Sequence, residues 1–186
     1  MKAVSCYIAL NHARDTFLGK LICWVQAPGL VWRGHADTIP THARLGFTLE
    51  DGSQVYFEAL EGSGFDGPKP EKRVQNWVKN GSGRWTHHYN LDLAPGIAEQ
   101  IHERAQGRLG QWSYSVPQLL GMYFALRFGA RLRQSPDKVI CSEAVARLLF
   151  PDVDLRENRT FENVTPLSIH GKMPENIIPL FIDTVF

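Results

Sequence analysis

The sequence predicts an α+β domain in which a mostly antiparallel sheet packs against helices. Stretches with strand-like alternation are concentrated in the first half of the chain, and helix-like patterns dominate from Pro95 onwards. The two kinds of element do not alternate regularly, as they do in proteins built around a parallel sheet. The chain has 186 residues, a length that suits one domain, and we expect a single domain over residues 1–186.

The first predicted elements are a strand, an amphipathic helix and a hairpin. Residues 4–10 are an apolar run of strand length, and residues 14–26 place apolar side chains at helical spacing. The tripeptide "APG" from Ala27 ends this helix. The hairpin is predicted in "THARLGFTLEDGSQVYFEALEG", where apolar residues alternate with polar or small ones on both sides of the turn "EDG".

The rest of the chain contains most of the predicted helices. Residues 62–70 are rich in Gly and Pro and predict a loop, and the segments "RVQNWV" and "WTHHYNLDL" predict extended chain. Helices are predicted from Pro95, over "SVPQLLGMYFALRFGARL" and over residues 142–150. The short strand "KVI" precedes the last helix, and the tail ends on the strand-like "LFIDTVF".

Charge and hydropathy limit the partners that we expect. The formal net charge of +1 provides no overall basic field, so no nucleic-acid partner is expected. No apolar run reaches the roughly 18 residues of a membrane-spanning helix, so no integral membrane segment is expected. The N-terminus has too short an apolar run and is too polar for a signal peptide. We therefore expect a cytoplasmic protein, or one that is released by a route independent of a signal.

The cysteine content argues against disulfides and metal. Cys6, Cys23 and Cys141 are an odd and low number, which does not suit a disulfide framework. The sequence has no CxxC pair, so a cysteine zinc site is not predicted, and it has no Gly-rich phosphate loop. No cofactor is therefore expected.

Cys141 lies in "DKVICSEAVARLL", which predicts a short strand, a cysteine and then a helix with its apolar face toward the sheet. A helix N-terminus presents unpaired N–H groups and partial positive charge, and both favour the reactive thiolate. The same N–H groups suit an oxyanion hole. The alternative is an inert core residue, since free cysteine is among the most buried residue types.

A thiol nucleophile needs a base, and histidine is the usual one. Among seven histidines, His42 is the best candidate because it begins the first hairpin strand on the face opposite Ala43, Leu45 and Phe47. An ordinary exposed strand residue is the alternative for His42. We expect His102, in a polar helix, to lie at the surface.

Glu58 and Glu61 are the two candidates for the acceptor that orients His42. A two-residue turn would place Glu61 opposite His42, whereas a three-residue turn with a left-handed Gly52 pairs Arg44 with Glu58. Glu58 is then a diagonal neighbour of His42 on the same face, within reach of a long side chain. Gly in the third turn position favours this second register, and a solvated strand carboxylate is the alternative for Glu58.

The order His42, Glu58 and Cys141 resembles the circularly permuted branch of the NlpC-type papain-like cysteine peptidases, which includes YiiX-like proteins and, more distantly, lecithin retinol acyltransferase-like enzymes. "THARLGFTLEDGSQVYFEALEGSG" is similar to the hairpin of that family, and "KVICSEAVARLL" is similar to its Cys-Ser-Glu signature. "GQWSYSVPQLLG" and "TPLSI" resemble the segment before the nucleophile and the tail. Arg44 departs from the pattern where a small or apolar residue is common, and it would narrow or charge the cleft.

The resemblance implies a papain-like fold, in its permuted NlpC-type form, and a thiol hydrolase that cleaves amides through a thioester. Cys141 matches the nucleophile, His42 the base and Glu58 the residue that orients the histidine. The implied substrates are cell-wall-type peptides or related amides.

Two alternatives stay open. An acyltransferase, lipid amidase or esterase of the same fold is the first. A cleft with exposed apolar residues around three tryptophans would favour this lipid chemistry, and a polar groove would favour a peptide substrate. The tryptophans in question are Trp77, Trp85 and Trp112. A non-catalytic binding or structural module that retains the fold is the second.

Overall fold

The computed structural model describes residues 1–11, 17–34, 39–70, 86–128, 135–151 and 166. Within these residues, five strands form one antiparallel sheet: β1 (Ala3–Asn11), β2 (His42–Leu49), β3 (Gln54–Leu60), β4 (Gly64–Pro70) and β5 (Thr86–Leu91). Their order across the sheet is β4-β3-β2-β1-β5, so among the described strands β4 pairs with β3 alone. The predicted α+β class with a mostly antiparallel sheet is confirmed.

The described part of the chain also contains five helices and a short parallel strand pair. The helices are α1 (Phe17–Gln26), α2 (Pro28–Trp32), α3 (Ile97–Gly107), α4 (Val116–Phe128) and α5 (Cys141–Leu149). The pair consists of β6 (Ser113–Tyr114) and β7 (Lys138–Val139), and β7 leads directly to α5. The strand and helix predicted around Cys141 therefore match β7 and α5.

Helices α3 and α5 pack together with the sheet in the main core. Ile101 and Ala105 of α3 belong to the same buried cluster as Val145 and Leu148 of α5, and this cluster also contains Leu45 of β2. Burial of a Val, Leu or Ile side chain stabilises the fold by about 1.5–3 kcal/mol. This packing fixes the start of α5 against the sheet.

A second cluster joins α1, α4 and the junction before α5. Ile22 and Val25 of α1 pack with Leu119 of α4, and Ile140 completes the cluster. Ile140 immediately precedes Cys141 and has the extended backbone of a helix N-cap, with φ of −100° and ψ of 167°. The position of Cys141 is therefore determined by the main core on one side and by this cluster on the other.

The prediction of a loop over residues 62–70 is wrong, because residues 64–70 form the strand β4. Its composition misleads, since Gly and Pro disfavour strand interiors. A strand with a neighbour on one side only tolerates proline, because half of its N–H groups need no partner in the sheet. Pro68 and Pro70 occur in such a strand.

The prediction of a surface position for His102 is also wrong. His102 is 4% exposed, and its ring packs against Phe47 and Phe57 at centroid distances of 4.9 and 5.6 Å. Helix α3 is polar on average, but His102 lies next to Ile101 and in phase with Ala98 and Ala105 on its buried side. Position on the helix, rather than composition of the helix, decides its burial.

Other predicted elements match in part or lie outside the described residues. The helix predicted over 14–26 is observed as α1 from Phe17, and residues 12–16 are not described. The "APG" stop ends α1, but Pro28 also begins α2, a role that proline's fixed φ suits. Three predicted features lie outside the described residues: the extended segment 73–78 with Trp77, the residue Trp85, and the strand over 180–186.

Candidate functional site

The hairpin of β2 and β3 sets the register of the candidate site. The N–H of Leu49 donates to the carbonyl of Ser53, and the N–H of Gly52 donates to the carbonyl of Leu49, each at 2.9 Å. Gly52 has a φ of +78°, a left-handed conformation that favours glycine. This is the three-residue turn, and it pairs Arg44 with Glu58, as the sequence favoured.

His42 and Glu58 contact each other on the face that this register gives them. Nε2 of His42 lies 2.8 Å from Oε2 of Glu58, and the two side chains are 15% and 10% exposed. Glu61 follows the end of β3 and is exposed. The structure therefore brings Glu58, rather than Glu61, to His42.

Cys141 is the first residue of α5 and is 3% exposed. Besides burial, the charge and hydrogen bonding of His42, and then the backbone N–H groups of Ala43 and Ser142, act on the pKa of its sulfur, which puts these groups around the thiol. Since Nε2 of His42 faces Glu58, Nδ1 is the ring nitrogen left for the sulfur. The three predicted site residues thus form one continuous chain of contacts, from Cys141 through His42 to Glu58.

Local contacts fix the first turn of α5. Oε2 of Glu143 accepts the N–H of Ile140 at 3.4 Å, and Oε1 of Glu143 pairs with Arg147 at 2.7 Å. The N–H of Ala144 donates to the carbonyl of Ile140 at 2.9 Å. These bonds satisfy groups at the helix start that would otherwise be unpaired, and they leave the N–H of Cys141 at the end of the helix dipole.

The charges of the three residues depend on one another. Burial by itself lowers the pKa of His42, but the charge and hydrogen bond of Cys141, together with Glu58, raise it to about 9. Burial raises the pKa of Cys141, but the charge and hydrogen bond of His42 outweigh it and lower the pKa below the ordinary value of 9.0. Each group thus favours the charged form of the other, which is the direction that a thiolate–imidazolium pair requires.

Glu58 stays ionised despite its burial. Burial raises the pKa of Glu58, but the hydrogen bonds and charges of His42 and Lys69 lower it to about 2. Nζ of Lys69 lies 3.1 Å from Oε1 of Glu58 and also 3.1 Å from Oδ2 of Asp66. Neither Lys69 nor Asp66 was predicted at the site, because the Gly- and Pro-rich composition of residues 62–70 predicts a loop instead of the strand β4.

A cavity of about 380 Å³ opens beside His42. Leu18, Ile22 and Leu60 form an apolar part of its wall. The polar lining residues include Asn11, Thr41, His42, Arg44, Glu58, Glu61 and Tyr114. Arg44 thus lies in the wall of the cavity, and its guanidinium also covers the ring of Tyr56 at 4.3 Å.

Tyr114 also lines the cavity, although no sequence pattern predicts it there. Tyr114 of β6 pairs with Val139 of β7, and Val139 precedes Cys141 by two residues. Burial, and then the negative charges of Cys141 and Glu61, raise the pKa of Tyr114 above its ordinary value of 10.0. The phenol therefore remains protonated at neutral pH and is a hydrogen-bond donor at the cavity wall.

Comparisons with protein-family models, with curated proteins and with solved structures found no match to this chain. None of the described helices is long and apolar enough to cross a membrane. Trp112, one of the tryptophans considered for a lipid cleft, is buried and packs against Phe65 at a centroid distance of 5.4 Å.

Proposed function

We propose that this chain is a thiol hydrolase of the permuted NlpC-type papain-like class, which cleaves amide bonds through a thioester on Cys141. The observation that carries the proposal is the contact chain from Cys141 through His42 to Glu58, with the sulfur at the start of a helix. A thiolate nucleophile, a histidine that gives and accepts protons, and a carboxylate that orients the histidine are the groups that suit acyl transfer at sulfur.

In the first half of the reaction, the thiolate of Cys141 attacks the carbonyl carbon of the amide and the carbonyl oxygen takes the negative charge. The N–H of Cys141 and the positive end of α5 stabilise this oxyanion. His42 gives its proton to the leaving nitrogen, the C–N bond breaks, and a free amine and a thioester form.

In the second half, water attacks the thioester carbonyl while neutral His42 accepts a proton from that water. The C–S bond breaks, the product leaves as a carboxylic acid that loses its proton to solvent, and Cys141 and His42 return to the thiolate–imidazolium pair. Glu58 accepts a hydrogen bond from the Nε2 side of the ring throughout, so that Nδ1 stays directed at the sulfur. Cell-wall-type peptides and related amides are the proposed substrates.

Acyl transfer from or to a lipid is a second candidate, because Leu18, Ile22 and Leu60 give the cavity an apolar wall. Hydrolysis of a γ-linked stem peptide compared with a long-chain acyl amide or ester separates the two. The buried position of Trp112 removes one of the features that would favour the lipid candidate.

Alkylation by iodoacetamide, followed cysteine by cysteine with mass spectrometry, tests the proposed chemistry without a known substrate. Cys141 should react at neutral pH at least tenfold faster than a free thiol. Because all three cysteines are buried, Cys6 and Cys23 are internal controls for the effect of burial and should react slowly. If Cys141 reacts no faster than a free thiol, and Cys141→Ala leaves every measured hydrolysis intact, the chain is a non-catalytic module.

A further inference from the structure

We infer that Lys69, oriented by Asp66, is a positioning residue: it fixes the second carboxylate oxygen of Glu58, so that Glu58 keeps His42 turned toward Cys141. The inference rests on the proposed thiol hydrolase and assigns it a further residue pair that lies outside the Cys-His-Glu set.

Both oxygens of Glu58 are engaged by different partners. Oε2 contacts Nε2 of His42 at 2.8 Å, and Oε1 contacts Nζ of Lys69 at 3.1 Å. A carboxylate bound on one oxygen only can turn about its last side-chain torsion, which is broad and has low barriers. Lys69 removes this rotational freedom, so Oε2 of Glu58 stays in a fixed position as the hydrogen-bond acceptor for His42.

Asp66 orients Lys69 in turn. Oδ2 of Asp66 lies 3.1 Å from Nζ of Lys69, and Oδ1 of Asp66 accepts the N–H of Gly67 at 2.8 Å. Asp66 is thus attached to its own backbone while it binds the lysine. The side chain of Lys69 is 30% exposed, against 10% for Glu58, so Lys69 brings a positive charge from the surface to a largely buried carboxylate.

An irregularity in the strand pairing brings these side chains together. Tyr56 pairs with Lys69 and Glu58 pairs with Asp66, so β4 advances three residues while β3 advances two. In a regular strand, residues three apart point to opposite faces. The extra residue in β4 puts Asp66 and Lys69 on the same face as Glu58, which is the effect that bulges have near functional sites.

Gly67 permits this irregularity. Its φ is +147°, and a Cβ at this position would lie 2.7 Å from the ring of Phe57 and 2.9 Å from the carbonyl oxygen of Tyr56. Phe57 is a buried core residue and the carbonyl belongs to the backbone, so neither can move aside cheaply. Glycine at this position is therefore part of the arrangement that delivers Lys69.

A pH profile of Cys141 alkylation by iodoacetamide tests the inference. In Lys69→Met we expect a rate about tenfold lower at neutral pH and a midpoint displaced to higher pH, because a mobile Glu58 supports the imidazolium less well. Asp66→Asn should displace the midpoint in the same direction by less. Lys69→Arg should restore most of the rate, since it keeps the charge and the donors.

Lys2→Met is the matched control, because Lys2 also pairs with a glutamate: its Nζ lies 3.6 Å from Oε1 of Glu99. The side chain of Lys2 is 64% exposed, and neither Lys2 nor Glu99 lines the cavity. It should keep the profile of the wild type. If Lys69→Met lowers the melting temperature and leaves the midpoint in place, Lys69 only ties β4 to β3 and the inference is overturned. Asp66→Asn gives the same decision if Lys69→Met does not fold.

The two proposals fail differently in this experiment. A wild-type Cys141 that reacts like a free thiol overturns the proposed function, and the positioning role falls with it. A fast wild-type Cys141 whose profile is the same in Lys69→Met overturns the positioning role alone.

Discussion

His42 and Glu58 contact each other at 2.8 Å although they are not partners in the β2–β3 ladder. The partner of Glu58 in the ladder is Arg44. His42 precedes Arg44 by two residues on β2 and is therefore the diagonal neighbour of Glu58. A slip of one residue would turn Glu58 to the core face and break the contact. The turn that ends at Gly52 therefore determines whether the candidate site exists.

Glu58→Gln should weaken the thiolate of Cys141. Glutamine keeps the size of the side chain but removes the negative charge that helps raise the pKa of His42 to about 9. With a lower pKa at His42, less imidazolium is present to stabilise the thiolate, so the midpoint of Cys141 alkylation should move to higher pH. We expect a rate at least about tenfold lower at neutral pH, since one pKa unit is a factor of ten.

Glu61→Gln is the control for this experiment, because Glu61 belongs to the same hairpin end and also lines the cavity. Its alkylation profile should match that of the wild type. Equal displacement of the midpoint in both variants would show that total charge, and not the contact with His42, controls the sulfur.

The contact of His42 with Glu58 could be predicted from sequence because it depends on local rules. Alternation of apolar residues identifies the two strands, and glycine in the third turn position selects the register. Cys141 at the start of a helix follows in the same way from the phase of the apolar residues after it. The α+β class needs no more than the order of these patterns.

Lys69 and His102 could not be predicted in this way because tertiary context decides their positions. Lys69 reaches Glu58 only through an extra residue in a strand whose Gly and Pro content predicts a loop. His102 lies in a polar helix, and its burial depends on which side of α3 meets Phe47 and Phe57. The position of Tyr114 in the cavity wall likewise depends on the pairing of β6 with β7, which is distant in sequence.

His42→Ala should make Cys141 less acidic than an ordinary thiol. Burial raises the pKa of Cys141, and the charge and hydrogen bond of His42 are the main causes that bring it below 9.0. Without the histidine, the effect of burial remains, so the alkylation midpoint should move above that of a free thiol. Cys6 is the reference within the same molecule, because burial raises its pKa with no histidine to oppose it.

The measurement is the alkylation rate of each cysteine between pH 6 and pH 10 by mass spectrometry. Cys141 in His42→Ala should resemble Cys6 over this range. A midpoint of Cys141 that stays below that of a free thiol would show that Ala43, Ser142 and the helix dipole suffice, and that His42 is not the activating group.

Gly46→Ala should destabilise the sheet. A Cβ on Gly46 would lie 2.0 Å from the ring of Tyr7, which is 1% exposed. Tyr7 and Gly46 are register partners in β1 and β2, so the clash lies at the centre of the sheet. Overpacking of this kind costs about 1–3 kcal/mol, and we expect the melting temperature to fall by several degrees.

Gly107→Ala is the matched control for Gly46→Ala, because a Cβ there would meet nothing within 4 Å. Gly107 is the last residue of α3, where alanine is at least as favourable as glycine. Its melting temperature should not fall. An equal loss in both variants would contradict a steric cause at Gly46.

His102 should make the stability of the protein depend on pH. Burial lowers the pKa of His102 below the ordinary 6.5, and the charge of the N-terminus acts in the same direction against Glu103 and Glu99. Below pH 6.5 the unfolded chain therefore binds a proton that the folded chain does not, and stability falls as the pH decreases. His102→Leu should remove this part of the pH dependence.

Nε2 of His102 has no hydrogen-bond partner among the described residues, so leucine should also be tolerated at neutral pH, within about 1 kcal/mol. Urea unfolding at pH 7 and pH 5 measures both effects, and the loss of stability between these pH values should be smaller in His102→Leu than in the wild type. The same loss in both proteins would mean that His102 is not the residue that titrates.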